Sequence, residues 1–277
     1  MKQSSFAWLA VAALVTSVES AAWAVWGGEP DGDSHPMVGA FYADFSGNGR
    51  IEWFELICSG SYAGPSMDGS ADVFLTAGHC LAFLPASGIT QIWVSFDDVP
   101  RDEDGEPDGL IPAADYAFDP LFGHDNGDFH DSGVVLLPAG SVVGIEPIEL
   151  PPAGFLDDLM DAGELKHMVA EVVGYGAIPT WHEAGGPQFL VDPARRKGSS
   201  VVNGLTRSNV LFLQNTQATG LDGLCFGDSG SPQFLSGTRM IISTTTGGNV
   251  VCNAPNRNYR MDTASAREFL GQFLELP

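Results

Sequence analysis

Two short strings hold the residues best suited to chemistry. His79 closes the run Leu75-Thr76-Ala77-Gly78-His79-Cys80, and far downstream Ser229 sits in Cys225-Phe226-Gly227-Asp228-Ser229-Gly230-Ser231-Pro232. A serine hydroxyl is a poor nucleophile until a base takes its proton, and an imidazole is the usual base. The two strings supply both groups, each with a cysteine able to anchor its loop.

The order of the groups narrows the reaction class. All six histidines precede Ser229. The α/β-hydrolase order of nucleophile, acid, histidine is therefore impossible with Ser229 as nucleophile. The elbow Gly-x-Ser-x-Gly fails as well, because Ser231 stands where its last glycine should be. His…Asp…Ser remains available, and Asp…His…Ser is not excluded by order. The acid is best sought after His79, at the head of a buried strand. His130-Asp131-Ser132-Gly133-Val134-Val135-Leu136-Leu137 fits, since its apolar run is too short for a helix and is bounded by Pro138. Asp125 and Asp128 lie in a Gly/Asn-rich stretch that reads as solvated loop, so Asp131 is favoured.

The elements that must position these groups read as strands. With 34 glycines and 18 prolines in 277 residues, and few long helical periods, the composition favours an all-β protein. Strands are expected over 37–44, 51–59, 73–77, 91–96 and 133–137. After a crossing at Pro151-Pro152, more are expected over 168–175, 199–203, 210–214, 231–234 and 240–246. Ala266, Phe269, Leu270, Phe273 and Leu274 follow a helical period that Asp262, Thr263 or Ser265 could cap. Arg195-Arg196-Lys197 reads as a solvated loop or nicking site. Asp44 to Glu55 matches a calcium-loop pattern, but strand-like flanks and Gly47-Asn48-Gly49 favour a hairpin turn. The acidic stretch from Asp97 to Asp108 reads as solvated loop.

With these pieces assembled, the chain resembles the chymotrypsin-like (trypsin-fold) serine proteases, and secreted bacterial members in particular. The matching segments are 75–80, 131–137, Gly174-Tyr175-Gly176, 225–232, Thr246-Gly247-Gly248 before Cys252, and Tyr259-Arg260-Met261-Asp262-Thr263. They occur in family order from about residue 25 onward. Gly78 and Ser231 depart from the commoner alanine and glycine. The resemblance implies two packed six-stranded antiparallel β-barrels, about 25–150 and 151–261, with a C-terminal helix over about 262–275. It implies a His79–Asp131–Ser229 triad in the cleft, and an oxyanion hole from the backbone N–H groups of Gly227 and Ser229. Four cysteines allow three connectivities; the resemblance implies Cys58–Cys80 and Cys225–Cys252. It places Gly223 at the floor of the specificity pocket, with Leu224, Thr246, Gly247 and Gly248 around it. Cleavage after large apolar or aromatic residues is expected.

Residues 1–24 read as a secretory signal peptide: Lys2, the apolar run 6–15, and Ala22-Trp23-Ala24 as the cleavage site. Secretion, extracellular or periplasmic, favours disulfides, and the lack of Cys-x-x-Cys argues against a structural metal. Cleavage after Ala24 would expose Val25-Trp26-Gly27-Gly28. The resemblance implies that the Val25 amine then pairs with Asp228, so signal removal itself would complete activation. The formal net charge of −23 argues against nucleic acid or anionic membrane as partner. A monomer acting on protein or peptide substrates, with no cofactor, is the expectation.

Overall fold

The computed structural model describes residues 25–102, 104–180, 188–190, 194–213, 221–253 and 255–277. The expected signal peptide lies outside them. Eight strands form the first half: β1 (Glu29–Pro30), β2 (Val38–Ala43), β3 (Leu56–Pro65), β4 (Ala71–Thr76), β5 (Ile92–Ser95), β6 (Ile111–Pro112), β7 (Asp115–Phe118) and β8 (Gly133–Pro138). The second half adds β9 (Val169–Gly174), β10 (Ile178–Thr180), β11 (Gln188–Leu190), β12 (Arg196–Leu205), β13 (Asn209–Leu213), β14 (Pro232–Leu235), β15 (Ile241–Gly247) and β16 (Asn256–Arg260). Among the described residues there are also four short α-helices: α1 (His79–Ala82), α2 (Leu84–Ser87), α3 (Phe155–Asp161) and α4 (Ala264–Leu270).

The expected all-β architecture with a terminal helix is what the chain adopts. In the second half the order β12-β13-β16-β15-β14-β9 returns from β9 to β12, closing a six-stranded antiparallel barrel, with β1 added along β12. The first-half sheet runs β6-β5-β2-β3-β4-β8-β7 and curls into a half-barrel. Its outer strand β6 has two residues, too few to carry a ladder back to the other edge.

Strand alternation explains how the halves join. Successive side chains of a strand point to opposite faces. Val38, Ala40 and Tyr42 of β2, and Val73 and Leu75 of β4, face a core shared with Val173, Tyr175, Phe234, Ile241 and Tyr259 of the second half. Phe41, Ala43 and Phe74 turn the other way, into the interior of the first sheet. Both strands are consequently buried on both faces. Helix α4 covers the shared core with Ala266, Phe269 and Leu270, and Thr263 caps it by accepting from Ala266 N.

Three sequence expectations change. The strand expected from Ile51 starts at Leu56, because residues 53–55 form a 3-10 turn. There Glu55, fully buried, accepts the backbone N–H groups of Ser46 and Glu52, while Asp44 accepts those of Gly47, Asn48 and Gly49. These bonds, with a capping box between Glu52 and Glu55, fold the segment as a self-capped turn. The basic triplet is not a solvated loop: Arg195 is 1% exposed and Arg196 is buried. The Arg195 guanidinium donates to Asp31 Oδ2 (2.8 Å), to the carbonyls of Gly32, Val38 and Phe96, and to the Tyr175 hydroxyl. Taking a guanidinium out of water is costly, and these bonds offset that cost; loss of a partner would leave a buried charge uncompensated. Asp128, read as solvated, is also buried, accepting from the hydroxyls of Tyr259 and Ser265.

Candidate active site

His79 is the first residue of α1, directly after β4, and Asp131 stands two residues before β8, which pairs with β4 in register Thr76↔Gly133. The pairing brings the two together. Asp131 is fully buried, and its carboxylate accepts both the backbone N–H of His79 (2.8 Å) and the ring Nδ1 (3.0 and 3.1 Å to the two oxygens). Two bonds from one residue to one carboxylate fix the position of the imidazole through its Nδ1 edge. Gly78 is suited to this approach, since a Cβ there would press on the Ser132 backbone at 3.0–3.2 Å. His130, next to Asp131, has a φ of +50°, a left-handed conformation uncommon outside glycine, and its Nδ1 is tied to Asp119 Oδ2 at 2.9 Å.

Ser229 comes from the second half but is strapped to the first. Its carbonyl accepts from Ser59 N (2.8 Å), and the Ser59 carbonyl accepts from Thr76 Oγ1 (2.8 Å). The next residue must be glycine, because a Cβ on Gly230, at φ +77°, would collide with Thr76 Oγ1 and the Ser59 carbonyl. Thr76 and Ala77 lead directly to His79, and the Cys58–Cys80 disulfide ties β3 to the same segment. Ser229 and His79 are both partly exposed on this seam. Among the described contacts His79 Nε2 and Ser229 Oγ do not share a hydrogen bond; Nε2 lies 3.8 Å from Cys80 Sγ. Both cysteines there are disulfide-bonded, so they and His79 offer no thiolate site for a metal.

Around the serine, the N–H groups of Asp228, Gly230 and Ser231 are bonded to the carbonyls of Cys225, Thr245 and Asp228. Those of Gly227 and Ser229 have no partner among the described residues, as a pair of anion-binding donors requires. Gly227 has φ +94°, and its Cα side abuts Gly176 and Leu56.

Asp228 points inward. Fully buried, it accepts from Gly176 N (2.8 Å) and Cys225 N (2.9 Å), and burial drives its pKa up to about 7 despite those bonds. Val25 is also fully buried, packed on Val172 and Leu224, and Trp26 bridges to Gly223. Its φ of +49° is strained for a β-branched residue.

Beside Ser229 a cavity of about 210 Å³ is lined by Leu224, Thr246, Gly247 and Gly248, as expected, and is braced by the Cys225–Cys252 disulfide. Gly223 is buried against Trp26 and does not line it. Sequence reading missed Asn256, Phe226 and Val250, which do. Asn256 was hidden because it follows Pro255 at the start of a strand not anticipated from the sequence. None of the residues lining the cavity is charged. Asp222, adjacent in sequence, faces away: it accepts from Ser199 N and fills the space left by Gly27 and Gly198.

The comparisons agree with this geometry. The trypsin family model matches residues 25–268. A solved structure described as HL collagenase shares 17% identity at a TM-score of 0.59, over 86% of this chain and 92% of that one. Human heparin binding protein shares 15% identity at 0.58, over 89% and 95%. A search of curated proteins finds no match. At these identities the solved structures speak for the fold, and the family model, spanning nearly the whole described chain, places it: this protein belongs to the trypsin family.

Proposed function

We propose that the chain is a secreted serine endopeptidase working through His79, Asp131 and Ser229. The observation that carries this reading is the buried Asp131 carboxylate, which takes two bonds from His79 while the Ser229 loop is strapped to the segment leading into that histidine. Asp131 holds the imidazole tautomer and stabilises the imidazolium formed when Nε2 takes the serine proton. The hydroxyl swings onto Nε2 as substrate binds, a tightening common to such pairs. The serine attacks the peptide carbonyl, the N–H groups of Gly227 and Ser229 hold the oxyanion, and the imidazolium protonates the leaving amine. Water then releases the acyl group by the same route. Each oxyanion donor contributes on the order of 3 kcal/mol. The uncharged cavity suits a large apolar or aromatic side chain rather than a basic one.

Activation by removal of residues 1–24 belongs to the same reading. A free Val25 ammonium would give the buried Asp228 its missing counter-charge, and cleavage would release the strained φ of Val25. N-terminal sequencing of the secreted protein is expected to begin at Val25; a start at Ala21, or beyond Gly28, rejects this route.

A binding module is the second reading, favoured by the likeness to a heparin binding protein. A net charge of −23 opposes binding any polyanion. The deciding experiment compares the secreted protein with Ser229→Ala. Peptide hydrolysis and fluorophosphonate labelling of the first and not the second support the peptidase. Correctly processed protein that does neither is a binding module.

A further inference from the structure

Resting on the peptidase reading, we propose that Asn256 selects the substrate: its amide recognises an aromatic side chain ending in a hydroxyl, so that cleavage follows tyrosine in preference to phenylalanine. Asn256 opens β16 and is only 4% exposed, yet it lines the cavity that also holds Ser229. Its side chain makes no hydrogen bond with any described residue. A buried amide carries one acceptor and two donors, and leaving them unmatched away from water is costly. An occupant able to bond it is therefore strongly favoured over one that only displaces its solvent.

The surroundings define that occupant. Gly248 keeps the amide open, since a Cβ there would collide with Asn256 Oδ1. Leu224, Val250 and the Cys225–Cys252 disulfide supply an apolar wall suited to a ring. With no carboxylate in the lining, a lysine or arginine would be stranded. A phenol both donates and accepts, so it pairs with the amide in either orientation, whereas phenylalanine fills the same space and leaves the amide bare. Sites built to bond a hydroxyl reject the analogue lacking it more strongly than apolar sites reject one methylene.

The test compares peptide anilides identical except for tyrosine or phenylalanine before the cleaved bond. The mature protein is expected to favour tyrosine at least about tenfold in kcat/KM, and Asn256→Leu, close in shape, is expected to bring the ratio near one. Equal rates in the wild type, or a preference unchanged in the variant, overturn the proposal while Ser229-dependent cleavage leaves the peptidase reading standing. Where Asn256→Leu does not fold, the wild-type ratio decides. If nothing is cleaved and Ser229 does not label, the peptidase reading has failed, and calorimetry with p-cresol and toluene on Ser229→Ala decides the pocket. Cresol bound at least about tenfold more tightly supports the amide's role, and equal affinities reject it.

Discussion

At the scale of single residues, the least comfortable group is Asp228. It is a fully buried carboxyl bonded to two backbone N–H groups, with its pKa pushed up to about 7 by burial. An acid whose folded pKa exceeds its unfolded value near 3.8 holds a proton in the native state that the unfolded chain has lost. Stability then falls as pH rises between the two values, by about 4 kcal/mol at roughly 1.4 kcal/mol per pKa unit. In protein cut before Val25, an ammonium beside the carboxylate would lower that folded pKa and remove the loss. Urea midpoints at about pH 4 and about pH 7.5 are thus expected to diverge in uncut protein and to converge in cut protein. The same pH response in both forms would mean that Val25 and Asp228 do not meet.

Among the elements, the β14–β15 hairpin explains why Ser231 stands where family members commonly carry glycine. Ser231 Oγ pairs with Thr245 Oγ1 (2.8 Å), Gln233 Nε2 donates to Thr245 Oγ1 (2.7 Å), and Ser243 Oγ donates to Gln233 Oε1 (2.8 Å). All four residues are buried, and the backbone adds Gly230 N to Thr245 O and Thr245 N to Ser231 O. This lattice holds the stretch between Ser229 and the cavity wall at Thr246. Gln233→Leu would strand the Ser243 hydroxyl and take one partner each from Thr245 Oγ1 and the Ser231 carbonyl, and is expected to lower stability by about 1–3 kcal/mol in a denaturant titration. A change below a few tenths would show that the network is idle. The strands were legible where β-branched and apolar residues run continuously, as in 73–77, 133–137 and 240–246. Elements missed were those too short or too polar to show a period: α1, α2 and α3, the two-residue β1 and β6, the short β7, β10 and β11, and β16, whose sequence Asn-Arg-Asn-Tyr-Arg has no apolar alternation. His79, Asp131 and Ser229 stood out because their motifs are local. Asn256 and Arg195 did not, because what each touches is distant in sequence.

For the molecule as a whole, the buried Arg195 joins three parts of the chain: Asp31 and Gly32 near the start, Val38 in β2 and Phe96 just after β5, and Tyr175 in the second half. Burial opposes ionisation of Asp31, yet His35 and Arg195 hold its carboxyl below the ordinary value. That contribution is complete above the unfolded pKa near 3.8 and disappears as pH falls through the folded value. Arg195→Met would take the guanidinium from the buried Asp31 and leave it only its bonds to His35, and a loss of about 3–5 kcal/mol is expected at neutral pH. The deficit should shrink in acid as Asp31 takes a proton; a deficit independent of pH would assign the loss to packing alone.

Helix α4 supplies Ala266, Phe269 and Leu270 to the core that both halves share, and every strand described above precedes it in the sequence. A nascent polypeptide still lacking that segment leaves the seam uncovered on one side. The serine loop and the histidine turn therefore share a covered base only once α4 has followed the last strand, so the seam is completed after the sheets that flank it.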